Sequence, residues 1–394
     1  MKHKKTAVVA GHICLDVLPE MSHLPAGQFA SLFQPGHLIS VGEALFATGG
    51  PVSNVGLALH KLGIPTRLIA KIGKDPYGDI LKQIIRGYDH RLLDGVQLDN
   101  THPTSYSVII SPPGVDRIFL HCPGVNDNFD SSDINYDLLA DADLMHFGYP
   151  PIMRQMYQAE GAELVRVFQI AKQTGITTSL DMAFPDPASP GGQVDWRRIL
   201  SVVLPFVDIF TPSVEEILFM LHESLYQKLL LDFDDIISGI TPSLVSHLSA
   251  ELVEMGAKIV LLKLGNLGVH MKSSGIESLK RLGRSTPKNL EDWANQEIFS
   301  PCYRVEVVGT TGSGDATIAG FLSGFLRDLS PVETVDASVA VGAFNVEASD
   351  ALSGLLSWEE TINRIANGWE KHKTQNLFLE GTWNKEHQVW ILKS

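Results

Sequence analysis

Short apolar, β-branched runs alternate along this chain with longer stretches whose apolar residues recur every three to four positions. The runs Thr6–Gly11, Arg67–Ile72, Leu144–Phe147, Thr177–Leu180, Phe206–Phe210 and Lys258–Lys263 read as buried strands. Between them the spacing predicts helices. One is capped by Ser53, carries the stripe Val55, Leu59, Leu62 and closes at Gly63; another ends near Gly87; a third covers 155–173; a fourth starts at Ser213. Strand–helix alternation predicts an α/β fold whose mainly parallel sheet is covered by helices on both faces.

Some segments break the alternation. Residues 19–48 carry Pro, Gly and His without a helical period. Thr104–Ile110 and Arg117–His121 flank Pro112-Pro113-Gly114 as a hairpin. Residues 221–250 and 272–300 read as insertions, and 375–394, with Trp383 and Trp390, as a last hairpin or docking segment. We expect one α/β domain over residues 1–394, with a lid from about 14–48 and 100–125.

In open α/β sheets ligands meet the carboxyl ends of the strands. Asp16, Asp181, Ser213, Glu216, Gly265 and Asp315 are all read at such ends. The densest chemistry lies in Gly309-Thr310-Thr311-Gly312-Ser313-Gly314-Asp315-Ala316. An apolar run, Tyr303–Val308, precedes it as a strand, and a helical stripe of Ile318, Leu322, Phe325 and Leu329 follows. Glycines let the backbone approach a ligand, and free amides at a helix start attract an anion. Asp315 would repel a phosphate there unless it takes a proton from a hydroxyl attacking phosphorus. Read alone, the loop also fits a tight turn with a first-turn acid. Asn54, behind Gly49-Gly50, suits sugar hydroxyls or a local cap.

Composition narrows the choices. With 31 Lys and Arg against 45 Asp and Glu, the net charge is −14, and there is no basic run. That disfavours nucleic acid and a polybasic membrane anchor as partners. An anionic nucleotide then needs local amides and a metal. Cys14, Cys122 and Cys302 lie far apart, which excludes a disulfide framework or zinc knuckle on spacing. The basic start Met1–Lys5 precedes only a short apolar run, too short for a signal segment. The expectation is a cytoplasmic protein. A P-loop signature is absent, as is GxGxxG after the first strand.

The segment 312–315 with its flanks resembles the C-terminal signature of the ribokinase-like (PfkB) carbohydrate kinases. Gly49 to Leu81 resembles their N-terminal signature, and Asp16, Asp181 and the Lys263–Gly268 turn fall in the family's order. The resemblance covers roughly residues 5–365. It implies a three-layer α/β/α ribokinase-like sandwich with a small β lid, and ATP-dependent phosphorylation of a small sugar. It implies Asp315 as base and the Gly312, Ser313 and Gly314 amides as anion hole. Asp16, Gly49, Gly50, Asn54 and Asp181 would face the sugar. Lys263, Gly265, Gly268, Thr310, Thr311 and Asn345 would line the nucleotide, and Glu216 would order Mg²⁺. A homodimer through the lid is also implied.

Two positions depart from the family pattern. Ser213 stands where an Asn is usual, and Gly309 where an Asp opens the loop, which puts monovalent-cation activation in doubt. A nucleoside kinase of the same fold would need an aromatic stack, for which Phe46, Phe119, Tyr149 and Phe184 are candidates, core packing being the other reading of each. A non-catalytic ligand-binding relative is the remaining alternative.

Overall fold

The computed structural model describes residues 4–27, 33–114, 117–373 and 381–392. In chain order the strands are β1 (Ala7–Gly11), β2 (Cys14–Pro19), β3 (Ala44–Gly49), β4 (Thr66–Gly73), β5 (Gly95–Asp99), β6 (Tyr106–Ile110), β7 (Ile118–Cys122) and β8 (Leu144–Gly148). They continue with β9 (Thr177–Leu180), β10 (Ile209–Phe210), β11 (Ile259–Lys263), β12 (Val269–Ser273), β13 (Glu297–Ser300), β14 (Gly381–Asn384) and β15 (Val389–Leu392). One 11-stranded sheet runs β14-β15-β13-β12-β11-β10-β9-β8-β1-β4-β5. Its seven strands from β5 to β11 are parallel. The other edge, from β12 to β14, is antiparallel.

Side chains of β1 alternate between two cores. Ala7 and Val9 pack on one face with Val55, Leu59, Ile318 and Phe321. Val8 and Ala10 pack on the other with Phe147, Leu164, Phe168 and Leu200. A strand buried on both faces reads as an uninterrupted apolar run, which is why these strands were legible. On the first face, helices Ser313–Leu326 and Pro331–Val346 approach closely. A Cβ on Gly320 would lie 2.9 Å from the Cα of Ser338.

A second sheet, β3-β2-β6-β7, stands apart as the lid. β2 pairs antiparallel with β3 and parallel with β6. Asp16, read just past the end of the first strand and inside the expected lid segment, sits on lid strand β2. The hairpin around Pro112–Gly114 forms as expected, with β6 and β7 antiparallel. Among the described residues, no helix is long and apolar enough to cross a membrane.

Several local expectations are corrected. Residues 303–308 are not a strand. Tyr303 makes an isolated bridge to Lys371, and Val307 and Val308 are exposed. The chain leaves the sheet at Pro301, and the ladder position beside β13 goes to β15, with Ile298 opposite Ile391. Ser53 is not a cap: the helix runs Pro51–Lys61 from Gly50, and the Ser53 hydroxyl donates back to the carbonyls of Gly49 and Gly50. The 155–173 helix is broken into Arg154–Tyr157 and Ala162–Gln173, with Glu160 and Gly161 at positive φ between them. Pro205 sits in a 3₁₀ turn, Leu204–Phe206, which shortens the next strand to Ile209–Phe210. Leu329 lies beyond its helix, which stops at Leu326.

The two insertions also resolve into elements. Residues 221–250 form helix Glu223–Asp232 and most of helix Pro242–Glu254. Residues 272–300 hold the end of β12, short helical turns and β13. Of the tail, 381–392 is a hairpin with Trp383 opposite Trp390, while 375–380 lie outside the described residues.

Candidate active site

Gly312 starts the helix Ser313–Leu326 with φ 72°, the left-handed region that glycine enters without strain. A Cβ there would fall 2.5 Å from the Cβ of Ala351, so the fold itself requires this glycine. Gly314 differs: an added Cβ would meet only the Lys263 side chain, no nearer than 3.7 Å. The room beside Gly314 belongs to the cleft. The amide of Ser313 donates to the Thr310 carbonyl at 3.3 Å, so one of the three expected anion-hole donors is engaged within the turn. Gly309 packs against backbone, with a Cβ position 2.9 Å from the carbonyl of Ala348.

Asp315 is 3% exposed. Asn54 Nδ2 donates to its Oδ2 at 2.9 Å, and the Tyr149 hydroxyl lies 3.1 Å from each of its oxygens. Burial raises its pKa, and the Glu216 charge adds to that. Asn54, the Lys263 ammonium and Tyr149 pull the other way without cancelling it. Desolvation wins over stabilisation of the anion, and Asp315 is a stronger base than an exposed carboxylate.

Two cavities meet at this segment. One, of about 840 Å³, is lined by Asp16, Gly50, Asn54, Tyr149, Thr311 and Asp315, and reaches out to Phe119 and Phe184. Asp16 faces Gly49, where a Cβ would lie 2.4 Å from its Oδ2. Burial pushes the Asp16 carboxyl up to about 6, against hydrogen bonds from Cys14 and Ser107. At Gly50, with φ 84°, a Cβ would lie 2.6 Å from Nδ1 of His12. The second cavity, of about 310 Å³, is lined by Lys263, Gly265, Gly268, Gly314, Thr317 and Gly342, with Val305, Val307 and Val346 as apolar walls. Thr310 lines both.

Other expected residues land elsewhere. Asp181 does not line the larger cavity; it is 1% exposed and accepts from Lys263 Nζ at 2.6 Å. It holds the lysine in place. Burial and the neighbouring Glu216 and Asp315 charges favour the proton on Asp181, and Lys263 opposes them. Thr311 lines the larger cavity and not the smaller one. Asn345 lines neither; it is buried and its Nδ2 donates to the Ala351 carbonyl at 2.8 Å. Ser213 and Glu216 form a capping box: the Ser213 amide donates to Glu216 Oε2 at 2.7 Å, and the Ser213 hydroxyl accepts from the Glu216 amide at 3.3 Å. The shorter hydroxyl at 213 thus serves the helix start. Asp181, Glu216 and Asp315 all act electrostatically on the single ammonium of Lys263. Among the described residues, these three acids do not gather their oxygens into a cation-binding cluster.

Sequence reasoning missed three residues. Tyr149, read as a stacking or core aromatic, instead faces Asp315. It follows β8 directly, so the strand-end rule that selected Asp181 also pointed to it. His12 lines the larger cavity, 2% exposed, beside His121 of the lid. Arg117, at the lid hairpin, donates to the hydroxyls of Thr310 and Thr311 and bridges lid and loop. No local pattern marks a lone lid arginine.

The family model described as pfkB family carbohydrate kinase matches residues 27–358. The chain is 23% identical over 340 residues to fructokinase-1 of Zea mays, covering 83% of this chain and 92% of that one. Among solved structures, it resembles Arabidopsis thaliana ribokinase complexed with ribose and ATP, at TM-score 0.68, 19% identity, and 92% and 98% coverage of the two chains. A fructokinase with bound ATP from Xylella fastidiosa gives TM-score 0.67 at 19% identity, with 93% and 99% coverage. A nucleoside kinase of Methanocaldococcus jannaschii gives 0.61 at 16% identity, with 92% and 98% coverage. The three-layer sandwich with its separate lid, and a family match over most of the chain, agree: this protein belongs to the PfkB family of carbohydrate kinases and has the ribokinase-like fold.

Proposed function

We propose that this protein transfers the γ-phosphoryl group of ATP to a hydroxyl of a small, sugar-like acceptor. The observation that carries this reading is the meeting of the two cavities at Thr310–Asp315, with a base on the acceptor side and a lysine on the other. Asp16 and Asn54 hold acceptor hydroxyls. The attacking oxygen forms its bond to phosphorus as the bond to the ADP oxygen breaks, and its proton passes to Asp315. A loose transition state asks mainly for positioning and charge neutralisation. Gly314 leaves space for phosphate oxygens at the helix start, and Lys263, anchored by Asp181, faces the same space. Mg²⁺, when bound near Glu216, would supply further neutralisation of phosphate charge. Arg117 ties the lid to the loop and so helps to keep water out.

A nucleoside acceptor is the second reading, favoured by one feature. Phe119 and Phe184 line the outer part of the acceptor cavity and are 53% and 36% exposed. They are apolar faces on which a base can stack. One experiment separates the readings: ADP release from ATP with a panel of sugars, sugar phosphates and nucleosides. Sugars giving the highest kcat/KM support the first reading; nucleosides doing so replace it. No acceptor-dependent release from any member sinks both and favours a ligand-binding role.

We also propose that a second copy of the chain covers the lid. Its edge strands β3 and β7 expose Leu45, Phe46, Phe119 and Leu120. Sedimentation should show a dimer, and Leu120→Lys should weaken it.

A further inference from the structure

The segment after helix Val214–Leu221 gathers ligating side chains that line neither of the two cavities. His222 ends that helix. His247 and Glu251 lie four residues apart on helix Pro242–Glu254, so helix geometry puts them on one face. One ligand atom from each of the three residues lies within 4.8 Å of the others. His222 Nε2 already lies 2.7 Å from Glu251 Oε2. Glu251 Oε1 accepts from Arg197 Nη1 at 2.7 Å, and Arg197 also donates to the Leu221 carbonyl at 2.7 Å.

We propose that His222, His247 and Glu251 form a binding site for a zinc-class divalent cation. Two imidazoles and one carboxylate are the donor set of three-ligand zinc sites, whereas Mg²⁺ prefers oxygen alone. Tetrahedral coordination at zinc bond lengths puts neighbouring donors roughly 3.4 Å apart, so rotamer changes close the site without moving either helix. The contact between His222 and Glu251 is exchanged for two bonds to the ion. Arg197 keeps its hold on the other carboxylate oxygen and orients it, as outer-shell groups do at metal sites. His247 is exposed, so the fourth position opens to water.

The ion would staple the inserted helix 242–254 to the end of helix 214–221. The other end of that helix carries Ser213 and Glu216. This gives the insertion a structural task, independent of which acceptor the enzyme phosphorylates.

The test uses the full chain, stripped with a chelator and dialysed. Zn²⁺ is titrated by calorimetry and Co²⁺ by its visible absorption. The expected result is one Zn²⁺ per chain, intense four-coordinate Co²⁺ bands and a raised Tm. His247→Ala should weaken binding at least about 10-fold and leave the Tm of the stripped protein unchanged. Glu216→Gln should leave Zn²⁺ binding intact. The proposal is overturned by a Kd weaker than about 10 μM, by undiminished binding in both His247→Ala and His222→Ala, or by loss of the bound Zn²⁺ in Glu216→Gln.

Discussion

The two cavities that meet at Thr310 are built on different principles. The larger, proposed as the acceptor side, is made of side chains held by one another: Asn54 and Tyr149 on Asp315, Cys14 and Ser107 on Asp16. Two of its carboxyls, Asp16 and Asp315, are pushed up by burial. The other side is made of backbone and small residues, Gly265, Gly268, Gly314 and Gly342 among apolar walls, with Lys263 as its charge. A polar network fails when one member is removed. A shape fails when one atom is added. The first side should therefore respond to pH and to truncation, and the second to an extra methyl.

The largest expected effect comes from Asp315→Asn, which keeps the shape and removes the base. General-base catalysis contributes about 10²–10⁴ in rate, and kcat should fall by that much while Tm does not fall, since burial already disfavours the charge on this carboxyl. Steady-state ADP release measures it, and near wild-type turnover would remove Asp315 from its role. Gly314→Ala is next. The folded chain has room for that methyl, so Tm should hold within about 1 °C while kcat falls about 10-fold through displaced phosphate. A large fall in Tm would show that packing, and not the ligand, needs this glycine.

Tyr149→Phe should act through Asp315. Burial raises that carboxyl, and the tyrosine hydroxyl is one of the groups holding it down. Without it the pKa climbs further, and the acid limb of the kcat–pH profile should move to higher pH by up to about one unit. An unmoved limb with normal kcat would make Tyr149 a packing residue.

The smallest effect on turnover concerns Asp16. Its carboxyl, raised to about 6 by burial, must be ionised to accept acceptor hydroxyls, so kcat/KM should fall as pH drops through about 6. The sign for stability is opposite. The folded state holds this proton more tightly than the unfolded chain, so its contribution is full below about pH 4 and is lost as pH rises through about 6. Asp16→Asn should then raise stability at pH 7 by up to about 3 kcal/mol while raising the acceptor KM. Unchanged stability would mean that water reaches the carboxylate in the folded state.

Much of the fold was legible because both faces of the sheet are covered. Runs such as Ala7–Ala10 and Ile259–Leu262 have no polar alternation to confuse them. Helix starts with a side-chain cap, such as Ser213, were also legible. Failures came where tertiary context overrode local pattern. Tyr303–Val308 has the composition of a strand, but β15, about ninety residues later, takes the position beside β13. Ser53 has the chemistry of a cap, but the helix already starts three residues earlier, at Gly50 with Pro51 in its first turn.

The site divides the same way. Sequence by itself determined which residue types stand in the two signatures, and hence Asp315, Asn54, Gly314 and Lys263 as candidates. Spacing along the chain carries glycines and acids in a fixed order. Only the tertiary structure decided who touches whom. It turned Asp181 toward Lys263, sent Asn345 to the Ala351 carbonyl, and brought Tyr149 and Arg117 to the loop. The reason is physical. Burial and partner geometry fix a side chain's role and pKa, and both depend on residues remote in sequence: 261 positions separate Asn54 from Asp315.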